Sequence, residues 1–306
     1  MKRYWKKVRQ SLMSPFWALV VPYGWLLLFF FIPFLIVLKI SFSELKLGLP
    51  PYGPLIEWVG KGVFTIKLNL TNYSFIGTDA LYLFSYLESL VIATVGTVGC
   101  LIIGYPMAYG LAKAAPPWRT VLLMLVILPF WTSFLLRVYA WIGILSSHGF
   151  LNTALIKVGL ITTPLTLLDT TFATILGIIY CYLPFMILPL YASLEKIDHT
   201  LLEAAYDLGA RPLQAFLRVV WPLSLPGVIA GSMLVLIPAV GEFVIPELLG
   251  GSQTLMIGKV LWNEFFTNRD WPVASALAIL MLIFLVLPIA IFQRLQERQV
   301  RFLDAE

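Results

Sequence analysis

The sequence predicts an all-α membrane protein with six transmembrane helices and both termini cytoplasmic. Three observations predict it. The first is composition: of 306 residues, 60% are hydrophobic and 12% charged, where a soluble domain carries about 25% charged residues. The second is the run pattern, since six apolar stretches reach the roughly 20 residues a helix needs to cross the hydrocarbon layer. The third is the segregation of Lys and Arg. The net charge of +5 is small and clustered, which speaks for membrane orientation and lipid contact and excludes a nucleic-acid partner.

The first run, 18–40, follows the basic leader MKRYWKKVRQ. It is too long for a signal-peptide core and no small-x-small cleavage site follows, so it reads as an uncleaved span. In the leader, Tyr4 or Trp5, Val8 and Leu12 recur at helical spacing. That suits a helix on an anionic leaflet or a solvated basic tail. The outer segment 41–86 contains GLPPYGPLIEWVGKG and reads as a small ordered cap. The second and third runs are 87–112 and 120–145, the fourth is 171–194, the fifth 222–244 and the sixth 272–292. The organisation is a basic segment 1–17, a six-span domain 18–294 and a tail 295–306. With both ends inside, the outer segments keep Lys46, Lys61, Lys67, Lys157, Lys259 and Arg269, against thirteen Lys and Arg on the inner side, the bias expected of cytoplasmic loops. Cys100 and Cys181 fall inside apolar runs and read as small hydrophobes.

Segment 195–221 lies on the inner side between runs four and five. Its centre, HTLLEAAYDLGARPLQAF, spells helix, break, helix. Thr200 and Glu203 have capping-box spacing, and Asp198 adds negative charge where a helix N-terminus favours it. The first helix is expected from Leu201 to Leu208. Gly209 then fits a position of positive φ, and Pro212 the first turn of a second helix. Leu213, Phe216, Leu217 and Val220 would form its apolar stripe. The small side chains of Ala204 and Ala205 leave a smooth face for close approach. On pattern alone the loop is either a docking element or a hairpin that covers the bundle.

Residues 203–222, EAAYDLGARPLQAFLRVVWP, resemble the EAA loop of ABC importer permeases. Val219 stands for Ile and Trp221 for Leu in that pattern, both still apolar. The resemblance implies that Glu203, Ala204, Ala205, Asp207, Leu208 and Gly209 couple the bundle to a separate ATPase. PFWTSFLLRVYAW (129–141), GEFVIPELLGG (241–251) and NRDWPVASALAI (268–279) look like the permeases of polyamine importers, the putrescine type more than the spermidine type. The family implies a type I importer permease bundle in a bacterial inner membrane. It also implies three kinds of partner: a homologous second permease, an ATPase dimer and a periplasmic polyamine-binding protein. A permease for another solute, an ion-driven transporter and a membrane anchoring subunit are the rival readings.

No cofactor is expected on this chain. A phosphate-cradling loop needs G-x-x-x-x-G-K-[ST], and neither Gly60-Lys61 nor Gly258-Lys259 is followed by Ser or Thr. ATP and its magnesium are therefore expected on the partner ATPase, and this chain is expected not to be an enzyme. His148 and His199 form no metal-ligand cluster.

A polyamine needs carboxylates or carbonyls for its ammonium groups and aromatic faces beside them. Glu242, in LVLIPAVGEFVIPELLG, is the leading candidate, because a carboxylate among apolar neighbours must face a partner, a cavity or an ion. Pro238 and Pro246 each remove a helix hydrogen bond, so the fifth run is expected to bend or break there. Glu247 is expected in a loop near the outer mouth. Trp131 and Tyr139 could supply aromatic faces or belong to an interfacial belt. Glu242 reads as a substrate contact, as the partner of Arg137 in an ion pair, or as an interfacial side chain.

Overall fold

The computed structural model describes residues 15–58, 64–252 and 254–286. The basic leader, the tail 295–306 and the end of the sixth run lie outside the described residues. The chain divides into two compact units, residues 1–79 with 263–306, and residues 80–262.

In the first unit, an apolar helix runs from Pro15 to Ser41 with one π turn at Leu27–Phe31. Leu19–Ser41 is long and apolar enough to cross a membrane. The following segment is folded, as its Pro, Gly and aromatic content predicts. Asn72 Nδ2 donates to the carbonyls of Ser41 and Ser43, both at 2.9 Å, and so fixes the helix Thr71–Thr78 against the end of the first helix. Two short antiparallel strands, Ile56–Trp58 and Phe64–Ile66, pair with Ile56 opposite Ile66. They are an exception to the all-helical expectation. The unit also holds the apolar helix Trp271–Val286. Asp270 Oδ1 accepts from the Val273 N–H at 3.0 Å and satisfies one of the orphan donors at that helix start. Trp271 stacks on Phe265, with ring centroids 4.9 Å apart.

The second unit is built around the helix Thr171–Leu194, whose Ile178, Met186, Ile187 and Leu190 are fully buried. The 34-residue helix Ala80–Lys113 packs along it. Gly96, Gly99 and Gly104 sit against Ile178, Ile179 and Met186, so small residues on one helix receive large ones from the other. Apolar helices in lipid gain their association from such close packing. Trp221–Val240 packs on both of these helices, with Gly227 against Pro189 and Ser193, and Gly231 against Met186. Tyr105 and Ser224 share a hydrogen bond of 2.8 Å that ties the two outer helices together.

The third run differs from its expected form. It is not one helix over 120–145. Pro116–Ile127 passes into a 3₁₀ turn at Leu128–Trp131, and a new helix starts at Phe134. Pro129 has no amide hydrogen to continue the α pattern, and the Thr132 hydroxyl donates to the Pro129 carbonyl at 2.7 Å. Among the described residues, five helical segments are long and apolar enough to span, with Pro116–Trp131 and Trp271–Val286 as shorter apolar helices.

Candidate functional site

Two places stand out, one before the Trp221–Val240 helix and one after it. At one end of the 171–194 helix, Arg119 joins the turn at 112–114 to Glu195. It donates to Glu195 Oε1 at 2.7 Å and to the carbonyls of Ala112 and Ala114. The turn after Lys113 and the loop after Leu194 therefore share one end of the unit. The ion pair is partly exposed and is worth about 0–1 kcal/mol; its value is positional.

The loop carries the helix His199–Asp207. The cap differs from the capping-box expectation. Asp198 is the N-cap, and its Oδ1 accepts from the Thr200 N–H at 2.9 Å, so Thr200 lies inside the helix. The other end has the geometry the sequence predicts. Gly209 has φ +81°. The Gly209 N–H donates to Tyr206 O at 2.8 Å and the Ala210 N–H to Ala205 O at 3.0 Å, the paired bonds of a Schellman motif. Glu203, Ala204, Asp207, Leu208 and Gly209 are exposed and Ala205 is half-buried. Leu208, at the tip, is 89% exposed. Pro212 opens the next helix, where Gln214 Oε1 accepts from the Arg211 N–H at 3.0 Å. The apolar stripe is altered. Val220 of that stripe is buried, as is Ala215 outside it, but Leu213 and Leu217 are exposed; a π turn at Phe216–Val220 inserts an extra residue per turn and breaks the 3.6-residue register there.

The second place is the break after Trp221–Val240. The helix stops at Gly241, and a short helix, Val244–Leu249, starts again. Glu242 sits in the break, 8% exposed. Its Oε1 accepts from the N–H of Val244 at 3.0 Å and of Ile245 at 3.5 Å, and its Oε2 accepts from the Tyr182 hydroxyl. Aromatic rings lead away from this group: Tyr182 meets Phe185, Phe185 meets Phe130 edge-on, and Phe243, the next residue in the chain, stacks on Trp262 at 4.3 Å. A short helix, Ile257–Trp262, returns to the break. Its Ile257 N–H is received by Ser89 Oγ at 2.7 Å. Gly258 lies so close to the break that a methyl group there would overlap the carbonyl oxygens of Gly241 and Glu242. Gly258→Ala is therefore expected to displace the break and lower thermal stability by about 1–3 kcal/mol, measured by melting in detergent.

A cavity of about 550 Å³ between the 80–113, 116–127 and 171–194 helices is lined by Pro106, Leu122, Leu125, Pro129 and Leu183, among others. None of its lining residues is a carboxylate, so it offers an ammonium group no counter-charge. The break at Glu242 is the better-equipped site.

The profile of the binding-protein-dependent transport system inner membrane component family matches residues 101–302. The chain belongs to this family. The spermidine/putrescine transport system permease protein PotB of Haemophilus influenzae is 40% identical over 289 residues, covering 94% of this chain and 96% of that protein. PotB of Escherichia coli K12 is 43% identical over 271 residues, covering 89% and 94%. Two solved structures share the fold. One is a bacterial ABC transporter that imports the polysaccharide alginate, with TM-score 0.68 at 18% identity, covering 97% of this chain and 99% of that one. The other is the MetNI methionine ABC transporter in an inward-facing state, with TM-score 0.52 at 20% identity, covering 72% and 95%. The protein is thus a multi-pass inner-membrane permease with an ABC importer fold.

In this permease the remaining expected site residues take separate places. Glu247 is not in a loop: it lies on the helix Val244–Leu249 and pairs with Lys259 at 3.1 Å. Lys259, expected in an outer segment, is buried and also donates to Gly251 O at 2.8 Å. Trp131 and Tyr139 are 88% and 56% exposed, and neither is a hydrogen-bond partner of Glu242. The ion pair with Arg137, one of the three readings of Glu242, is not formed: the Glu242 carboxylate accepts from Tyr182 and two backbone amides, and Arg137 Nε and Nη1 have no hydrogen-bond partner. Tyr182 escaped sequence reasoning, because a tyrosine in an apolar run carries no signal until the fold brings position 242 beside it.

Proposed function

We propose that this permease passes a polyamine from a periplasmic binding protein to the cytoplasm by alternating access, driven by a separate ATPase. The names of the PotB relatives support spermidine and putrescine as cargo. Putrescine is the expected preference, on the resemblance carried by GEFVIPELLGG. Glu242 is the observation that carries the reading within the chain. A buried carboxylate at a helix break, held by two backbone amides and a tyrosine hydroxyl beside aromatic rings, suits an alkyl-ammonium group.

In this reading the topology has six spans with both termini cytoplasmic, and segment 195–221 faces the cytoplasm. A homologous second permease completes the pathway, an ATPase dimer carries ATP and magnesium, and a polyamine-binding protein delivers cargo. The exposed helix ending at Leu208 and Gly209 receives the motion of the ATPase. Glu203, Ala204, Ala205 and Asp207 form its docking surface. Trp131 and Tyr139, both exposed, are open to the second permease or to lipid.

Reconstitution with these partners in nanodiscs tests the reading. ATP hydrolysis should rise with binding protein loaded with putrescine or spermidine, and remain basal with neutral or anionic solutes. Equal stimulation by a neutral solute overturns the polyamine assignment. Uptake in vesicles holding neither ATPase nor ATP overturns the ABC mechanism.

A further inference from the structure

Arg137 is the polar group whose position the proposed function leaves unexplained. It lies on the helix Phe134–Leu145 and is 9% exposed. Its Nε and Nη1 are buried without a hydrogen-bond partner. The guanidinium instead lies 5.5 Å from the ring centroid of Phe130 and 5.6 Å from that of Phe134. Cation–π contact with two rings offsets part of the lost hydration, but dry guanidinium donors remain costly. A chain of contacts joins Arg137 to Glu242: Arg137 lies over Phe130, Phe130 meets Phe185, Phe185 meets Tyr182, and the Tyr182 hydroxyl donates to the Glu242 carboxylate. The 134–145 helix also packs on Val244–Leu249, which starts two residues after Glu242. The region thus holds a buried cation and a buried anion, linked through packed aromatic rings, without an ion pair between them.

Such an arrangement has a use where a third charge competes for the anion. Tyr182 and the amides of Val244 and Ile245 occupy part of the Glu242 carboxylate. A carboxylate has about four lone-pair sites, so it retains capacity for one further cation. The ammonium group of a polyamine and the guanidinium of Arg137 are rivals for that place.

We propose that Arg137 is the internal competitor that expels the polyamine from Glu242. While an ammonium group occupies the carboxylate, the guanidinium rests on Phe130 and Phe134. As the bundle changes state, the guanidinium moves onto the carboxylate and the ammonium leaves. Arg137 is then a positioning residue for release and makes no contact with the substrate. The inference rests on the reading of Glu242 as the substrate carboxylate.

The test uses the assembled complex in nanodiscs with radiolabelled putrescine. Label retained after a round of ATP hydrolysis is measured for Arg137→Gln, Arg137→Met and Arg137→Lys, beside Glu242→Gln. The two uncharged variants should take up putrescine more slowly yet retain roughly tenfold more label, the size of an ordinary charge–charge coupling. Arg137→Lys, which keeps a cation, should restore release, and Glu242→Gln should retain almost none. Wild-type release from Arg137→Gln and Arg137→Met, with uptake by Glu242→Gln impaired, overturns the competitor and leaves the Glu242 reading intact. Normal uptake by Glu242→Gln overturns both. Failure of both uncharged variants to assemble assigns Arg137 to packing and also overturns the proposal.

Discussion

Glu242→Gln is expected to lower polyamine uptake by roughly ten- to a hundredfold while the complex still assembles. Glutamine is nearly isosteric, and its side-chain oxygen can still accept from the Val244 amide, which the glutamate does at 3.0 Å. The break between Val240 and Val244 should therefore persist. What disappears is the negative charge. An ammonium group in a water-poor site loses about 1.4 kcal/mol for each factor of ten in affinity, and truncating one partner of a buried charge pair costs about 2–5 kcal/mol. Uptake of labelled putrescine into proteoliposomes measures the loss, and co-purification of the ATPase measures assembly. Normal uptake would place Glu242 off the path. Loss of assembly would make it a structural group of the break.

Gly209→Val is expected to uncouple the motor. A Cβ at this position meets nothing within 4 Å, so the penalty is conformational rather than steric. The φ of +81° is unfavourable for any L-residue by about 1–2 kcal/mol, and more for a β-branched one. The substitution strains the two bonds that close the helix, from Gly209 to Tyr206 and from Ala210 to Ala205. The exposed tip at Leu208 should lose its fixed direction. ATPase binding should weaken by roughly five- to thirtyfold, which corresponds to about 1–2 kcal/mol. Gly209→Asn, which tolerates positive φ, should retain most of the binding. Equal loss in both variants would contradict a conformational role.

The parts of this protein legible in its sequence are those fixed by local chemistry. Gly209 and Pro212 mark a stop and a restart because each residue type suits one backbone state. The 171–194 helix matches its apolar run to the residue, since nothing in the run interrupts it apart from prolines the helix accommodates. Glu242 drew attention because a charge among apolar neighbours needs an explanation. What the sequence hid depends on competition or on distance. Thr200 and Asp198 could each cap the same helix, and the carboxylate reached the Thr200 amide. The π turn at Phe216–Val220 breaks the register of that helix, an outcome that ideal 3.6-residue periodicity cannot anticipate. Lys259 read as a loop cation, yet Glu247 and the Gly251 carbonyl supply it with partners inside the fold. Tyr182 and Glu242 are 60 positions apart, and only the packing of 171–194 against the break joins them.

A single cysteine at the loop tip tests the central claim most directly. Cys100 and Cys181 are buried, so Leu208→Cys would provide an accessible thiol on the 89%-exposed tip. A membrane-impermeant maleimide should label it only from the cytoplasmic face, and a short bifunctional reagent should cross-link it to the ATPase in the assembled complex. Labelling from the periplasmic face, or the absence of any cross-link in a complex that still transports, would contradict the account.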